Sequence, residues 1–313
     1  MNSKTRYLFV GYGSIARKHL NNLISLYESN PETFIIDIYR ESESKDVDEN
    51  HLQYIDRIFN IPTFNNIHYK AIFITSPTHN HYDSLKQVIN LSDNFFIEKP
   101  VFESVFYDIS FLKNYLNKSI YVACPLRHSL IYKEMKLYCD ANNPHCIQVV
   151  CSSDLKLWRT NRDYRETYSA HHSMGGGVDL DLIHEWDYVT DLLGLPQKVK
   201  SLKSKVSALD IDSYDIALYI AQFSNALVEI HLDYFGQAPL RYARVVDAKK
   251  TQVFDFLNGV IIDETNNSTK MISSKDNFHL EELNYFLSMI DDSRIKNINS
   301  LEMAIKILNI AKG

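Results

Sequence analysis

Long apolar runs are missing from this sequence. Nowhere do about 18 consecutive apolar residues occur, so no membrane-spanning helix is expected. No long basic run occurs either, and a net charge of −6 argues against a nucleic-acid partner. The four cysteines, Cys124, Cys139, Cys146 and Cys151, lack CxxC spacing and offer no zinc pattern. The N-terminal MNSKTRYLFV lacks the long apolar core of a secretion signal, and with the cysteine usage this points to a reducing cytoplasm. Only 9 Gly and 8 Pro are present, with no internal repeat or low-complexity linker, which excludes a disordered chain.

What is present is a substantial apolar fraction, 45% of 313 residues, more than one core usually holds, so two domains are expected. Short β-rich runs at 6–10 (RYLFV), 34–39 (FIIDIY), 70–76 (KAIFITS), 95–99 (FFIEK) and 119–124 (SIYVAC) alternate with helical stretches. In the first of these stretches Ile15, His19, Leu20 and Leu23 recur at helical spacing. That rhythm makes residues 1–124 an α/β unit with a parallel sheet covered on both faces. Over 125–313 the pattern changes. A helix-like SLIYKEMKLYC precedes a long strand (CIQVVCSSDLK), then a helix over about 178–193, then several β-rich runs without helices between them and a closing amphipathic helix. This is an α+β domain with a largely antiparallel open sheet. The 20 Tyr and 16 Phe suit sugar or planar-ring recognition, although filling half-buried surface is the commoner use of tyrosine.

Gly11 and Gly13, with Ser14, Ile15 and Ala16, spell G-Y-G-S-I-A between the first strand and its helix, a dinucleotide fingerprint with alanine in the third position. Such a turn needs a tight bend, close backbone approach to a pyrophosphate and close helix packing. About 20 residues further on, where the adenine ribose is read, stand Asp37, Arg40 and Glu41. Asp37 falls inside the strand; Arg40 suits the 2′-phosphate of NADP and Glu41 the ribose hydroxyls of NAD, so the cofactor is NAD or NADP, with Arg40 tilting the reading to NADP. Ser76, Pro77, Thr78 and His81 follow the third run, where α/β sheets bind ligands, and are assigned to the cofactor. His79 and His81 lack a third metal ligand, and no metal site is expected. Three glycines at 175–177 lead into Asp181, His184 and Asp187, spaced by three and so near one another on a helical face, where a histidine beside a carboxylate can pass a proton.

These pieces, V-G-Y-G-S-I-A, S-P-T-H-N-H, E-K-P at 98–100 and G-G-G-V-D-L-D-L-I-H-E-W-D-Y, together resemble the Gfo/Idh/MocA oxidoreductases over nearly the whole chain. The resemblance implies an N-terminal Rossmann domain, a C-terminal sheet that often forms a homodimer or homotetramer interface, and hydride transfer between NAD(P) and a sugar, sugar-nucleotide or cyclitol carbon. It maps Lys99 to the lysine near the nicotinamide, His184 to the proton donor or acceptor, and Asp181 to the helix carboxylate. Glu98 is grouped with the cofactor site, and its role is left open between the lysine and the ribose. Many members place the carboxylate that maps to Asp181 four residues before the histidine; here the interval is three, a shorter spacing that resembles a subgroup accompanying surface-sugar pathways. Arg127, Tyr164, Arg165, Tyr168 and Tyr234 are the candidate substrate contacts, since guanidinium groups hold carboxylate or phosphate and phenols bond sugar hydroxyls. Some relatives with this fold are catalytically silent sensors; Lys99 and His184 argue against that alternative.

Overall fold

The computed structural model describes residues 4–41, 46–61, 64, 67–159, 162–272 and 276–313. The chain divides into two compact units, Met1–Ala123 with His279–Ile305, and Cys124–Phe278 with Lys306–Gly313. The first unit holds six strands, β1 (Thr5–Val10), β2 (Phe34–Tyr39), β3 (Ile55–Phe59), β4 (Ala71–Ile74), β5 (Asn94–Ile97) and β6 (Ser119–Val122), with helices α1 (Ser14–Leu26), α2 (Glu49–Leu52) and α3 (His81–Val88). All pairings are parallel, in the order β3-β2-β1-β4-β5-β6. The order reverses beside β1, which creates the crevice at the carboxyl ends of β1 and β4 where such sheets take ligands.

The central strands read as continuous apolar runs because both of their faces are covered; all four residues of β4 are buried. Phe9 stacks on Phe73 at 4.6 Å, and Phe73 leads on to Phe96. Strand β3 was not among the expected runs. It sits at the sheet edge, so its residues alternate between half-buried and exposed, and Asp56 and Arg57 interrupt the apolar signal. Asp37, fully buried in β2, accepts from Arg6, Arg57 and Tyr69, which makes it a structural carboxylate of the sheet.

The second unit opens with α4 (Leu130–Asn142) and β7 (Cys146–Asp154), followed by α5 (Val178–Asp181) and α6 (His184–Leu193). Then come β8 (Lys198–Ser204), β9 (Ile216–Gln222), β10 (Leu227–Asp233), β11 (Phe235–Val246), β12 (Thr251–Asp255), β13 (Val260–Asp263) and β14 (Ser268–Met271). They form one sheet in the order β14-β13-β12-β11-β7-β10-β9-β8, antiparallel except for the β7–β10 pair. Alternation along β7 buries Ile147, Val149 and Cys151 and leaves Gln148 and Val150 half-exposed. Trp186 of α6 is fully buried, edge-on to Tyr219 of β9 at 5.2 Å. The other face of the sheet presents Leu202, Ile220 and Leu227 to solvent. All four cysteines are free thiols.

Helix α7 (Phe278–Asp291) and the stretch after it return to the first unit, and α8 (Leu301–Lys312) ends the chain. Residues 279–305 were expected in the second domain. They cluster with the first because Phe286 packs edge-on against Phe73 and Phe96, at 5.8 and 5.3 Å. Asn299 adds two 2.9 Å hydrogen bonds with the backbone of Val122, covering the free edge of β6.

Burial keeps His279 of the first unit and His128 of the second neutral, pushed down to about 3 and about 4 from the ordinary 6.5. Above pH 6.5 both states leave these rings neutral. Below it the unfolded chain binds protons that the folded chain refuses, so stability falls as pH drops from 6.5 toward 4. The urea midpoint is therefore expected to fall between pH 7 and 5, and less steeply in His279→Gln; equal slopes would contradict this account.

Candidate functional site

The site begins at the turn after β1. The Gly11 N–H donates to Tyr39 O at 2.7 Å, and its φ of +97° suits glycine. A Cβ there would lie 2.6 Å from Ser76 N, so the turn and the end of β4 touch backbone to backbone. A Cβ on Gly13 would meet nothing within 4 Å, which leaves open space at the head of α1. No side chain caps that helix and its first turn holds no acidic residue, so its free N–H groups and positive dipole end remain available to an anion. Ser14 and Ile15 form this first turn, and Ala16 is fully buried, where a larger side chain would push the helix off the sheet.

Over this turn lies a cavity of about 400 Å³, bounded by Gly11, Gly13, Arg40, Glu41, Ser76 and Pro77, all named from sequence, and also by Tyr12, Arg17, Asn80 and Ser84. Sequence reading passed over Tyr12 and Arg17. Arg17 stands one helical turn after Gly13, a spacing that would have flagged it. Its guanidinium lies 4.8 Å from the Tyr12 ring centroid, and that of Arg40 lies 5.9 Å away. The ring is held from below: His51 Nε2–H donates to Asn21 Oδ1 at 2.7 Å, leaving Nδ1 to accept from the Tyr12 hydroxyl at 2.6 Å. Arg40 Nη1 donates to Asp46 O at 3.4 Å, while its buried Nε has no hydrogen-bond partner among the described residues.

Thr78 and His81, assigned to the cofactor from sequence, are buried and do not line the cavity. His81 instead ties two loops together, with Nε2 2.9 Å from Ser76 O and Nδ1 3.1 Å from Pro100 O. Burial pushes its pKa down against the pull of these carbonyls. It shapes the cavity wall through the Ser76 backbone. Glu98 and Lys99 follow β5. Glu98 is buried and outside the cavity lining, its Oε1 2.5 Å from His19 Nε2, and Lys99 is half-buried beside it.

In the second unit the expected helix over 178–193 is two helices, α5 and α6, separated at Leu182 and Ile183. The glycines before it are required by contact, since a Cβ on Gly176 would lie 2.2 Å from Tyr168 O. That packing brings Asp181 to two of the candidate tyrosines. The Tyr234 hydroxyl donates to Asp181 Oδ2 at 2.5 Å, and the Asp181 charge, with burial, drives the Tyr168 phenol well above its ordinary value. Trp158 stands edge-on to Tyr234 at 5.2 Å. His184 heads α6, half-buried.

The other candidate contacts are engaged within the protein. Arg127 is buried, with Nε and Nη2 donating to Asp187 at 2.8 and 2.7 Å and Nη1 to Asp191 at 3.0 Å. Asp187 thus faces Arg127, so the regular three-residue spacing with Asp181 and His184 does not make one catalytic trio. Arg165 is exposed and forked onto Asp163, and the Tyr164 hydroxyl accepts from Asp210 N at 3.1 Å.

A parallel sheet whose first strand-to-helix turn is an open glycine cradle defines a dinucleotide-binding domain. Residues 5–118 match the Gfo/Idh/MocA model, described as an oxidoreductase family with an NAD-binding Rossmann fold. No curated protein matches the chain in sequence. Among solved structures it is similar to UDP-N-acetylglucosamine 3-dehydrogenase GnnA from Acidithiobacillus ferrooxidans, at 15% identity and a TM-score of 0.76 over 99% of this chain and 96% of that one. Myo-inositol 2-dehydrogenase from Lactobacillus plantarum is 15% identical with a TM-score of 0.74 over 99% and 96%. Biliverdin reductase from Synechocystis sp., solved with biliverdin and NADP+, is 13% identical with a TM-score of 0.77 over 98% and 96%. At these identities the likeness establishes the fold. Among the described residues no helix is long and apolar enough to cross a membrane.

Proposed function

We propose that the protein moves a hydride between NADP and a hydroxyl or keto carbon of a sugar, sugar nucleotide or cyclitol, in the setting of surface-sugar synthesis. The observation that carries this reading is that neighbouring parallel strands β4 and β5 deliver the cavity wall at Ser76 and Pro77 and the lysine at Lys99 to the same carboxyl edge of one sheet. The names of the sugar-nucleotide and inositol dehydrogenases of like fold support the substrate class.

The nicotinamide, when bound, accepts or supplies the hydride. In the oxidative direction His184 takes the hydroxyl proton, and the Lys99 ammonium offsets the negative charge that grows on that oxygen. Asp181, held by Tyr234 and Tyr168, orients the segment that carries His184. The outer sheet face with Leu202 and Ile220 is where a second copy of the chain would pair.

NADP is favoured over NAD because the guanidinium groups of Arg17 and Arg40 both lie over the Tyr12 ring beside the end of β2, where a 2′-phosphate would offer them a stronger partner than the carboxylates nearby, Glu41 and Asp46 in the cavity lining and Asp48, 3.0 Å from Arg17 Nη1. Fluorescence titration is expected to show tighter binding of NADPH than of NADH. Since a charged hydrogen bond contributes about 1.5–3 kcal/mol, Arg40→Ala should weaken NADPH roughly 10- to 100-fold and leave NADH unchanged. Binding of neither nucleotide would overturn the cofactor reading. Binding without turnover across a sugar panel would make the protein a sensor.

A further inference from the structure

Beneath the end of β5 lies a buried polar pair that the cofactor cavity does not use. His19 belongs to the buried face of α1 with Ala16, Leu20 and Leu23, and it is fully inaccessible. Its Nε2 lies 2.5 Å from Glu98 Oε1; a carboxylate only accepts, so Nε2 carries the hydrogen. Phe96 meets the imidazole edge-on at 4.9 Å and fixes its plane. The other carboxylate oxygen, Oε2, accepts the backbone N–H of Lys99 at 3.3 Å. One acid thus holds a histidine from the cofactor helix on one side and the lysine on the other.

A carboxylate this deeply buried is costly unless compensated. The groups that face it are His19 from α1, His81 from α3, His279 from α7 and its neighbour Lys99, with Lys18 of α1 and Glu282 of α7 alongside. Burial pushes the Glu98 carboxyl up, but the hydrogen bond and charge interaction with His19, with smaller pulls from His279 and Lys99, outweigh it and hold the group below its ordinary value.

We propose that His19 is a positioning residue for Lys99: its Nε2–H holds Glu98 as a carboxylate, and that carboxylate fixes the Lys99 backbone and keeps the lysine side chain an ammonium. The inference rests on the reading of Lys99 as the group beside the reacting oxygen. It also gives the acid of E-K-P its role. Because His19 lies on the helix that starts at Gly13, the same helix carries both the pyrophosphate turn and the support of the lysine.

The test reads Lys99 directly, in the full chain without substrate. Lysines are reductively methylated with ¹³C, the Lys99 signal is assigned by its loss in Lys99→Arg, and its pH midpoint is measured by NMR. Glu98→Gln removes the negative charge and should lower the midpoint by about one pH unit. His19→Phe removes the donor, lets Glu98 take up a proton and should lower it similarly, and the double variant should shift no further than either single one. A midpoint unmoved by Glu98→Gln overturns the proposal, as does one that Glu98→Gln moves and His19→Phe does not. Should His19→Phe fail to fold, His19→Leu, which also lacks the donor, is read in its place by the same criteria. Midpoint shifts in a protein that turns over no sugar would uphold the link and remove the oxidoreductase reading instead.

Discussion

His184→Ala is expected to lower turnover of the accepted sugar about 10²–10⁴-fold, the range for loss of a positioned general acid or base, with NADPH affinity unchanged. The affinity should hold because the cofactor cavity is built wholly from the first unit, by the turn after β1 and the ends of β2 and β4, while His184 belongs to the second. Lys99→Met should cost a similar factor for a different reason, since it removes a charge that offsets the developing oxyanion and leaves the proton acceptor in place. The two variants therefore differ in their pH profiles: His184→Ala loses the limb that reports the base, and Lys99→Met keeps it. The measurement is NADPH absorbance with a sugar panel, paired with the fluorescence titration. Undiminished turnover in both variants would remove the catalytic assignment.

The parts of this site legible in the sequence were those written in adjacent residues. The Gly11-to-Ala16 turn could be read because strand, bend and helix follow within a dozen positions, and the Gly13 head of α1 is open as that reading requires. Contacts made across the fold were not legible. Arg127 looks like a substrate ligand until Asp187, 60 residues on, is seen to hold it, and His19 looks like a core histidine until Glu98, 79 residues on, meets it. Local context misleads in the other direction as well. The histidine of S-P-T-H-N-H stands beside the cavity in sequence, yet His81 turns inward to backbone carbonyls. Strand β3 was hidden by its edge position, and the return of residues 279–305 by the absence of any local mark for which core Phe286 would enter.

Arg127 supplies the largest expected loss of stability. Its guanidinium makes two bonds to the carboxylate of Asp187 and a third, at 3.0 Å, to the carbonyl of the same residue, and another to Asp191, with side-chain exposures of 3% for Arg127 and 9% for Asp187. Burial works against the Arg127 charge, but Asp187 and Asp191 outweigh it and keep the group protonated. Removing the cation leaves Asp187 buried without its counter-ion, and breaking such a pair costs about 3–5 kcal/mol. Arg127→Met should therefore lower the urea midpoint of the second unit sharply, and adding Asp187→Asn should recover part of the loss by removing the stranded charge. A substrate contact behaves otherwise, since losing it raises KM and leaves the unfolding transition in place. An Arg127→Met protein with an unmoved midpoint and a raised KM would return the guanidinium to the substrate.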